Sequence, residues 1–351
     1  MGTSTTYNNK ATDNLAFAYP SSDCSAHYRQ RSEYFNVNET LNFTPKGEGD
    51  HLYLYIQKLD TNSDWLAKEL ARKANLNPAD VGYAGRKDRH AITCQWFSLH
   101  LPLSKQMPLS LFEGEGYRLL KHCRHDKKLR KGQIAFNRFT LQLTEFEGSF
   151  ERLKERGTVL SESGFPNYFG PQRFGHGGSN IINAEKMLTG KIRVKDRNKR
   201  SIYLSAARSY LFNKILTKRI EKQCWQTSLK GDQYWDHSKS SLTEILSSEA
   251  NLEALLKTRE LSITGALAGD GDNSVTDDCL VLESAVLQTE KNLYKGISDS
   301  RISWQRRSLR VFAENFICSE NELGVEIEFS LTTGAYATSL LRELIVIKNE
   351  P

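Results

Sequence analysis

Close cysteine pairs are missing from this chain of 351 residues. Its six cysteines, Cys24, Cys94, Cys123, Cys224, Cys279 and Cys318, are scattered, and none forms a CxxC. That spacing argues against a zinc or iron–sulfur centre built on paired cysteines. It fits a reducing compartment, so a cytoplasmic location is expected. The eight histidines form no HExxH motif. A P-loop and a dinucleotide fingerprint are both absent, so neither a metal nor an organic cofactor is expected. Long apolar runs are lacking too. No stretch approaches the length needed to span a bilayer, and the start, MGTSTTYNNKATDN, has neither the basic residues nor the apolar run of a secretory signal. No membrane partner is expected. A strong charge of one sign is also missing: 48 Lys and Arg stand against 42 Asp and Glu, a net charge of +6. This permits a nucleic-acid partner without demanding one.

Aromatic residues are plentiful, with 16 Phe, 14 Tyr and 5 Trp, enough for folded cores. The length allows two domains or one large one. Residues 1–28 read as a polar, loosely ordered N-terminal extension. Tyr28–Phe43 reads as irregular strand. His51–Gln57 alternates, with Leu52, Leu54 and Ile56 on one face, and predicts a strand. Asp64–Leu76 predicts a helix with Trp65, Leu66 and Leu70 on an apolar stripe, stopped by Pro78. Val81–Ala84, Ile92–Leu99 and Phe139–Thr144 predict further strands. The middle is more helical, at Ser205–Ile220, Leu242–Thr258 and Cys279–Leu293. Strand alternation returns at Gly324–Leu331, and Thr338–Ile347 predicts a closing helix. The expected class is α+β, with a mixed sheet and sheet-rich ends around a helical middle.

The charge is concentrated. Arg118–Lys131 holds seven Lys and Arg and one acid, and Lys191–Arg200 holds six against Asp196. Such segments attract phosphates. Asn137 and Phe139, just beyond the first run, offer an amide and a ring of the kind that read an unstacked base. Solvated faces are the alternative reading of both runs. Asn167-Tyr-Phe-Gly-Pro-Gln-Arg-Phe-Gly175 packs aromatics, glycines and Arg173 together, which suits either substrate contact or a sealed junction. Arg306 and Arg307 suit a phosphate contact or, more simply, a solvated face.

The segment richest in chemistry is Gly82-Tyr-Ala-Gly-Arg-Lys-Asp-Arg-His-Ala91. It sets Asp88 between Lys87 and Arg89, with Arg86 and His90 one residue further out. Cations on both sides favour a carboxylate's charged form. The glycines point to close backbone packing or a tight turn. The whole reads as a carboxylate in a phosphate-attracting pocket, or else as an exposed loop with weak ion pairs.

Taken together, these segments resemble the tRNA pseudouridine synthase D (TruD) family. Gly85–Ala91 is similar to its catalytic-aspartate segment, and Asn167–Gly170 with Arg173–Gly175 to its second signature. Arg193–Arg208 and Gly334–Leu344 follow in kind and order. The resemblance runs from about Arg29 to Ile345. It implies a pseudouridine-synthase catalytic domain with a largely antiparallel mixed sheet, at 29–162 and 309–351, and an inserted α/β TRUD-type domain at 163–308. It also implies isomerisation of uridine 13 in the D arm of tRNA, by a monomer that needs no cofactor.

By the same resemblance Asp88 is the essential carboxylate. Three first acts are open to it: attack on C6 of the base, attack on C1′ of the sugar, or removal of the C2′ proton. Arg29, Lys87 and Arg89 are candidates to orient it. Phe35 or Phe139 would stack on the flipped uracil, with Asn137 at its polar edge or in a loop-fixing bond. Glu33 lies in an acidic–aromatic pair, where this chain reads Ser32-Glu-Tyr-Phe35 in place of the family's usual Pro-Glu-Asp-Phe. His90, Arg124, Lys128, Asn167, Arg173 and Arg208 complete the candidate substrate contacts. The rivals are an RNA-binding protein without catalysis, a synthase acting on another RNA, and a glycosidase or metal nuclease. The last two generally need paired or clustered carboxylates, which these segments do not supply.

Overall fold

The structure, a computed structural model, describes residues 12–243 and 249–348. In chain order the elements begin β1 (Ser25–Tyr28), β2 (Phe35–Leu41), β3 (His51–Leu59), α1 (Ser63–Lys73), β4 (Val81–Tyr83), β5 (Ile92–His100), β6 (Tyr117–His125), β7 (Ile134–Glu147) and α2 (Phe150–Glu162). They continue with β8 (Phe165–Pro166), α3 (Pro171–Phe174), α4 (Ser179–Leu188), α5 (Arg197–Glu221), β9 (Tyr234–Asp236), β10 (Ser241–Thr243), α6 (Glu249–Lys257) and β11 (Leu261–Leu267). The last are α7 (Asp277–Thr289), α8 (Lys291–Ser298), β12 (Gln305–Ser308), β13 (Arg310–Val311), β14 (Glu314–Asn321), β15 (Gly324–Thr332), α9 (Ala337–Leu344) and β16 (Val346–Ile347). Contacts divide the chain into two compact units. The first holds Ser22–Ser163, Phe312–Ala337 and the described residues from Leu344 onward. The second holds Gly164–Val311, Thr338–Glu343 and the described residues before Ser22.

The first unit is built on one mixed sheet with strand order β14-β15-β7-β2-β5-β3-β6. Strand β1 joins it between β7 and β16, and β4 pairs with β5. All pairings are antiparallel except β1 with β16 and β2 with β5. Both β3 and β4 run antiparallel to β5, so β3-α1-β4 is a β-α-β unit with β5 lying between its strands. The alternation that predicts β3 is real: Leu52, Leu54 and Ile56 are buried, and they pack on Leu66 and Leu70 of α1 and on Phe97 and Leu99 of β5. Each such side chain contributes about 1.5–3 kcal/mol of burial. Helix α1 starts where the Asn62 side chain accepts from the amide of Asp64 at 2.8 Å, a cap for an otherwise orphaned donor. Trp65, expected on the apolar stripe, is instead 52% exposed.

The second unit has a four-stranded antiparallel sheet, β10-β9-β11-β12. Its core joins Ala207, Leu211 and Ile215 of α5 to Leu282 and Val286 of α7 and to Leu293 and Ile297 of α8. Helix α5 begins earlier than the predicted Ser205. Asp196, the lone acid of the second basic run, caps it by accepting from the amides of Asn198 and Lys199 at 2.8 and 3.2 Å. The run therefore ends as a helical first turn.

Several expectations need correction. The described part of the N-terminal extension is tied down. Leu15 and Ala16 give their carbonyls to Arg342 at 2.8 and 3.0 Å, and Ser25–Tyr28 form β1, which is mostly buried. The helix predicted over Leu242–Thr258 is a short strand at Ser241–Thr243 and a helix at Glu249–Lys257; residues 244–248 lie outside those described, as do residues 1–11 of the extension. The helix predicted over Cys279–Leu293 breaks at Glu290, which leaves helical geometry and separates α7 from α8. The closing helix ends at Leu344 and gives way to β16. Among the described residues no helix is long and apolar enough to cross a membrane.

Candidate active site

Asp88 lies in the loop from β4 to β5, and that loop is fastened from several sides. Before it, Gly82 runs against the segment that follows β6: a Cβ there would stand 2.3 Å from the Leu129 carbonyl oxygen. This is the close approach that the glycines suggest. Gly85 meets only Ile134, at 3.7 Å. The Ala84 carbonyl accepts from Gly132 N at 2.9 Å. The Gly85 carbonyl accepts from the Gln95 side chain, whose Oε1 accepts from Ser63 Oγ at 2.8 Å. Ser63 Oγ in turn accepts from Lys87 N at 3.2 Å. Tyr83 and Arg86 both bond Asp64 at the start of α1, Arg86 at 2.9 Å. With the backbone held this way, the direction of Asp88 is fixed before any substrate arrives.

Three cations surround the loop, and each has a different task. Arg29 Nη2 stands 3.8 Å from Asp88 Oδ1, with both side chains about four-fifths buried. Its Nε donates to the His90 carbonyl at 2.8 Å, and its guanidinium lies 4.8 Å over the Phe35 ring. Arg29 also holds a left-handed backbone, φ 58°. That is uncommon for a bulky residue and points to a site whose surroundings hold it in place. Lys87 has other partners. Its Nζ pairs with Glu39 at 2.8 Å and bonds Asn137 Oδ1. Glu39 also accepts from Trp96 N at 2.7 Å, and burial pushes its carboxyl up while Lys87 opposes the shift. Lys58, fully buried, donates to the carbonyls of Thr61 at 2.7 Å and of Asp88 itself at 3.3 Å. Burial lowers its pKa to about 8, against the pull of Asp88. Of the three candidates to orient Asp88, Arg29 is therefore the one within reach. Arg89 is exposed, with its Nε on the Asp60 carbonyl at 3.4 Å.

Phe35, Phe139 and Phe329 form a ladder beside this group. Phe35 meets Phe139 edge-on at 6.1 Å, and Phe139 stacks on Phe329 at 5.2 Å. All three are buried, so one face of Phe139 is already covered. Asn137 and Glu39 are opposed across β7 and β2. Glu33 is exposed on a short 3-10 turn, where its carbonyl accepts from Asn36 at 2.8 Å. The Ser32 hydroxyl, at the position of the family's usual proline, donates to Asp60 Oδ1 at 2.5 Å, and His90 lies 3.5 Å from that same oxygen. Arg124 bonds the Leu101 carbonyl and Lys128 the Ala79 carbonyl. The first basic run is largely β6, an edge strand of the sheet, where charge also blocks pairing with other chains.

The structure thus gathers Arg29, Phe35, Lys87, Asp88, Asn137 and Phe139, whereas Asn167, Arg173 and Arg208 belong to the second unit. There Asn167 is buried and bonds Arg307 and the Ser308 carbonyl. Arg173 Nη1 donates to Ser205 Oγ at 3.1 Å. Arg208 Nη2 donates to the carbonyls of Leu267 and Ser303, each at 3.0 Å. Arg306, read as part of a solvated face, is a buried partner of Glu283 at 2.7 Å. Sequence reasoning passed over Glu39 and Lys58. Their signal was present: each occupies the inward register of its strand, after Phe35 and Val37 in β2 and after Leu54 and Ile56 in β3. A charged residue in an inward register is rare unless it is paired.

A family model described as tRNA pseudouridine synthase D (TruD) matches residues 13–194 and 179–344. The chain belongs to the tRNA pseudouridine synthase D family. Curated relatives agree in name and extent. The tRNA pseudouridine synthase D of Methylococcus capsulatus is 38% identical over 95% of this chain and 94% of its own length. That of Hydrogenovibrio crunogenus is 35% identical over 96% and 97%, and that of Aliivibrio salmonicida 38% over 90% and 91%. A crystal structure titled for a TruD protein of Methanosarcina mazei shares the fold, with a TM-score of 0.69 at 20% identity over 95% of this chain and 96% of that one. The TruD resemblance and the mixed, largely antiparallel α+β fold are thereby established.

Proposed function

We propose that this chain is a cytoplasmic tRNA pseudouridine synthase that isomerises uridine 13 of the D arm, with Asp88 as its essential carboxylate. The observation that carries the reading is Asp88 itself, on a loop fastened through Ser63, Asp64, Gln95 and Lys58, with the Arg29 guanidinium 3.8 Å from its carboxylate. The reaction breaks the N1–C1′ bond, forms a C5–C1′ bond and moves the C5 proton to solvent as N1 gains one. It is an isomerisation and requires no oxidant or reductant. Attack on C1′, attack on C6 and removal of the C2′ proton all begin from an ionised carboxylate facing the nucleoside. In our reading Arg29 orients that carboxylate, and the Phe35–Phe139 ladder with Asn137 bounds the uracil. Glu33, Lys87, Arg89 and His90 shape its surroundings. The extruded base must stay enclosed while it turns. Arg124 and Lys128 would position the RNA backbone rather than read its sequence. The protein would act as a monomer without a cofactor, its catalytic domain at 29–162 and 309–351 and its inserted domain at 163–308.

The test is pseudouridine mapping by carbodiimide treatment and reverse transcription on tRNA incubated with the purified chain. A stop at position 13 is expected with the wild type and none with Asp88→Ala. Modification confined to another position, or to another RNA, would replace the uridine-13 assignment. RNA binding without any modification would leave only the binding reading.

A further inference from the structure

Lys87 bonds a carboxylate and an amide at once, and the second contact decides which way the amide points. Its Nζ pairs with Glu39 Oε2 at 2.8 Å and donates to Asn137 Oδ1. Glu39 and Asn137 stand opposite each other on β2 and β7, and Lys87 reaches them from the loop after β4. Both ends of the lysine are held. Its backbone amide donates to Ser63 Oγ at 3.2 Å. Glu39 is fixed in turn by Trp96 N, which donates to Oε1 at 2.7 Å. The Glu39 and Lys87 side chains are 0% and 6% exposed.

An ammonium can only donate, whereas a side-chain amide carries an acceptor at one end and donors at the other. The bond to Lys87 therefore assigns the Asn137 oxygen to the protein side and turns Nδ2 away from it. Among the described residues nothing accepts from Nδ2, and Asn137 is only half-buried. Phe139, two residues further along β7, shares its face of the sheet. Burying an ion pair is expensive, and an apolar pair of the same shape is often as stable or more so. Stability alone therefore does not account for Glu39 and Lys87 at this place.

We propose that the Glu39–Lys87 pair is a positioning device: it holds Asn137 with its amide N–H toward the nucleobase, so that Asn137 selects a carbonyl oxygen of the uracil. The inference rests on the uridine-isomerising reading of the chain. It gives Lys87 a task separate from the charge of Asp88, its neighbour in sequence. A base with an amino group in place of that oxygen meets donor against donor, and the site rejects it.

The test is single-turnover release of tritium from C5 of the target base, with the full chain in excess. The tRNA carries uridine, 2-thiouridine or 4-thiouridine at that position. Sulfur is the poorer acceptor, so each thio base weakens one of the two carbonyl contacts. Wild type is compared with Asn137→Ala, Asn137→Asp and the paired Glu39→Leu/Lys87→Met. The ratio of the uridine rate to the thiouridine rate cancels a general loss of stability or of RNA affinity, and comparing proteins cancels the reactivity of the thio base itself. For one thio base the ratio should fall by about fivefold or more in Asn137→Ala and in the paired variant, and that base names the oxygen that is read. Asn137→Asp keeps the shape and the bond to Lys87 but offers no donor, so uridine turnover should fall by about tenfold or more. This variant leaves the buried pair in place and tests the amide's direction even where the paired variant does not fold. Ratios within about twofold of wild type for both thio bases in Asn137→Ala, or wild-type turnover in Asn137→Asp, would overturn the donor assignment. A ratio lost in Asn137→Ala but kept in the folded paired variant would overturn the role of Glu39 and Lys87. No tritium release by the wild type from the uridine tRNA would instead sink the isomerase reading, and this inference with it.

Discussion

Two clusters of positive charge distinguish this molecule, and they differ in what neutralises them. Around the Asp88 loop the cations have partners of their own: Lys87 has Glu39, Arg29 has Asp88, and Lys58 has two carbonyls, one of them that of Asp88. In a cavity of the second unit, Arg173 bonds the Ser205 hydroxyl and Arg208 two backbone carbonyls, and no carboxylate lines the wall among the described residues. In the first cluster two of the three cations have a carboxylate partner, an arrangement suited to holding a carboxylate in one place. The second has no carboxylate among the described residues of its wall, so the two clusters differ in what surrounds their charge. Net charge alone, +6 for the whole chain, conceals this contrast.

The contrast can be broken at its strongest point first. Lys87→Met leaves Glu39 buried without its counterion, which should cost about 3–5 kcal/mol of stability. Replacing both, as Lys87→Met with Glu39→Leu, should recover much of that loss. Urea unfolding checks it, and a single variant within 0.5 kcal/mol (about the scatter of a neutral surface change) would show that the pair is not balanced internally. Next in size is the seat of the loop. Gly82→Ala drives a methyl against the Leu129 carbonyl and should cost about 1–3 kcal/mol, whereas Gly85→Ala meets only ordinary contact and should cost less. Equal effects would contradict the close packing assigned to Gly82.

A further effect is expected in pH. Lys58 titrates near 8 in the folded chain and near the ordinary lysine value of 10.5 when unfolded. Between those values the unfolded chain binds more protons, so the stability of the wild type should rise with pH relative to Lys58→Met, and the cost of the buried charge should be fully present below pH 8. Over the same rise the cation beside Asp88 is lost, so single-turnover rates of the wild type should fall. A stability difference that stays flat from pH 7 to 10 would contradict this reading of Lys58.

Much of the fold was legible because alternation and helical periodicity report burial directly. Leu52, Leu54 and Ile56 of β3 and Val325, Ile327, Phe329 and Leu331 of β15 are buried as the pattern predicts. The helices predicted at 242–258 and 279–293 run too far because apolar content continues across Glu290 and across the approach to α6, while backbone breaks leave little trace in composition. Asp88 was legible because its neighbours in sequence carry the signal. Its partner in space was not. Arg29 directly follows β1, whose Tyr28 pairs with Leu143 of β7, and β7 is joined to β5 through β2, where Asn36 faces Ile92; that path follows from sheet topology, not local pattern. Glu39 and Lys58 were hidden for a related reason: alternation reports apolar faces, and a charged residue on such a face reads locally as an interruption of the pattern.

The central claim is that Asp88 carries the chemistry and the rest of its cluster holds it there. Single-turnover pseudouridine formation and tRNA affinity measured on Asp88→Asn test this most directly, because the change removes the charge and almost nothing else. The account predicts a loss of rate of about a thousandfold or more with the dissociation constant within about threefold of wild type (less than 1 kcal/mol). Turnover at the wild-type rate in Asp88→Asn would contradict it.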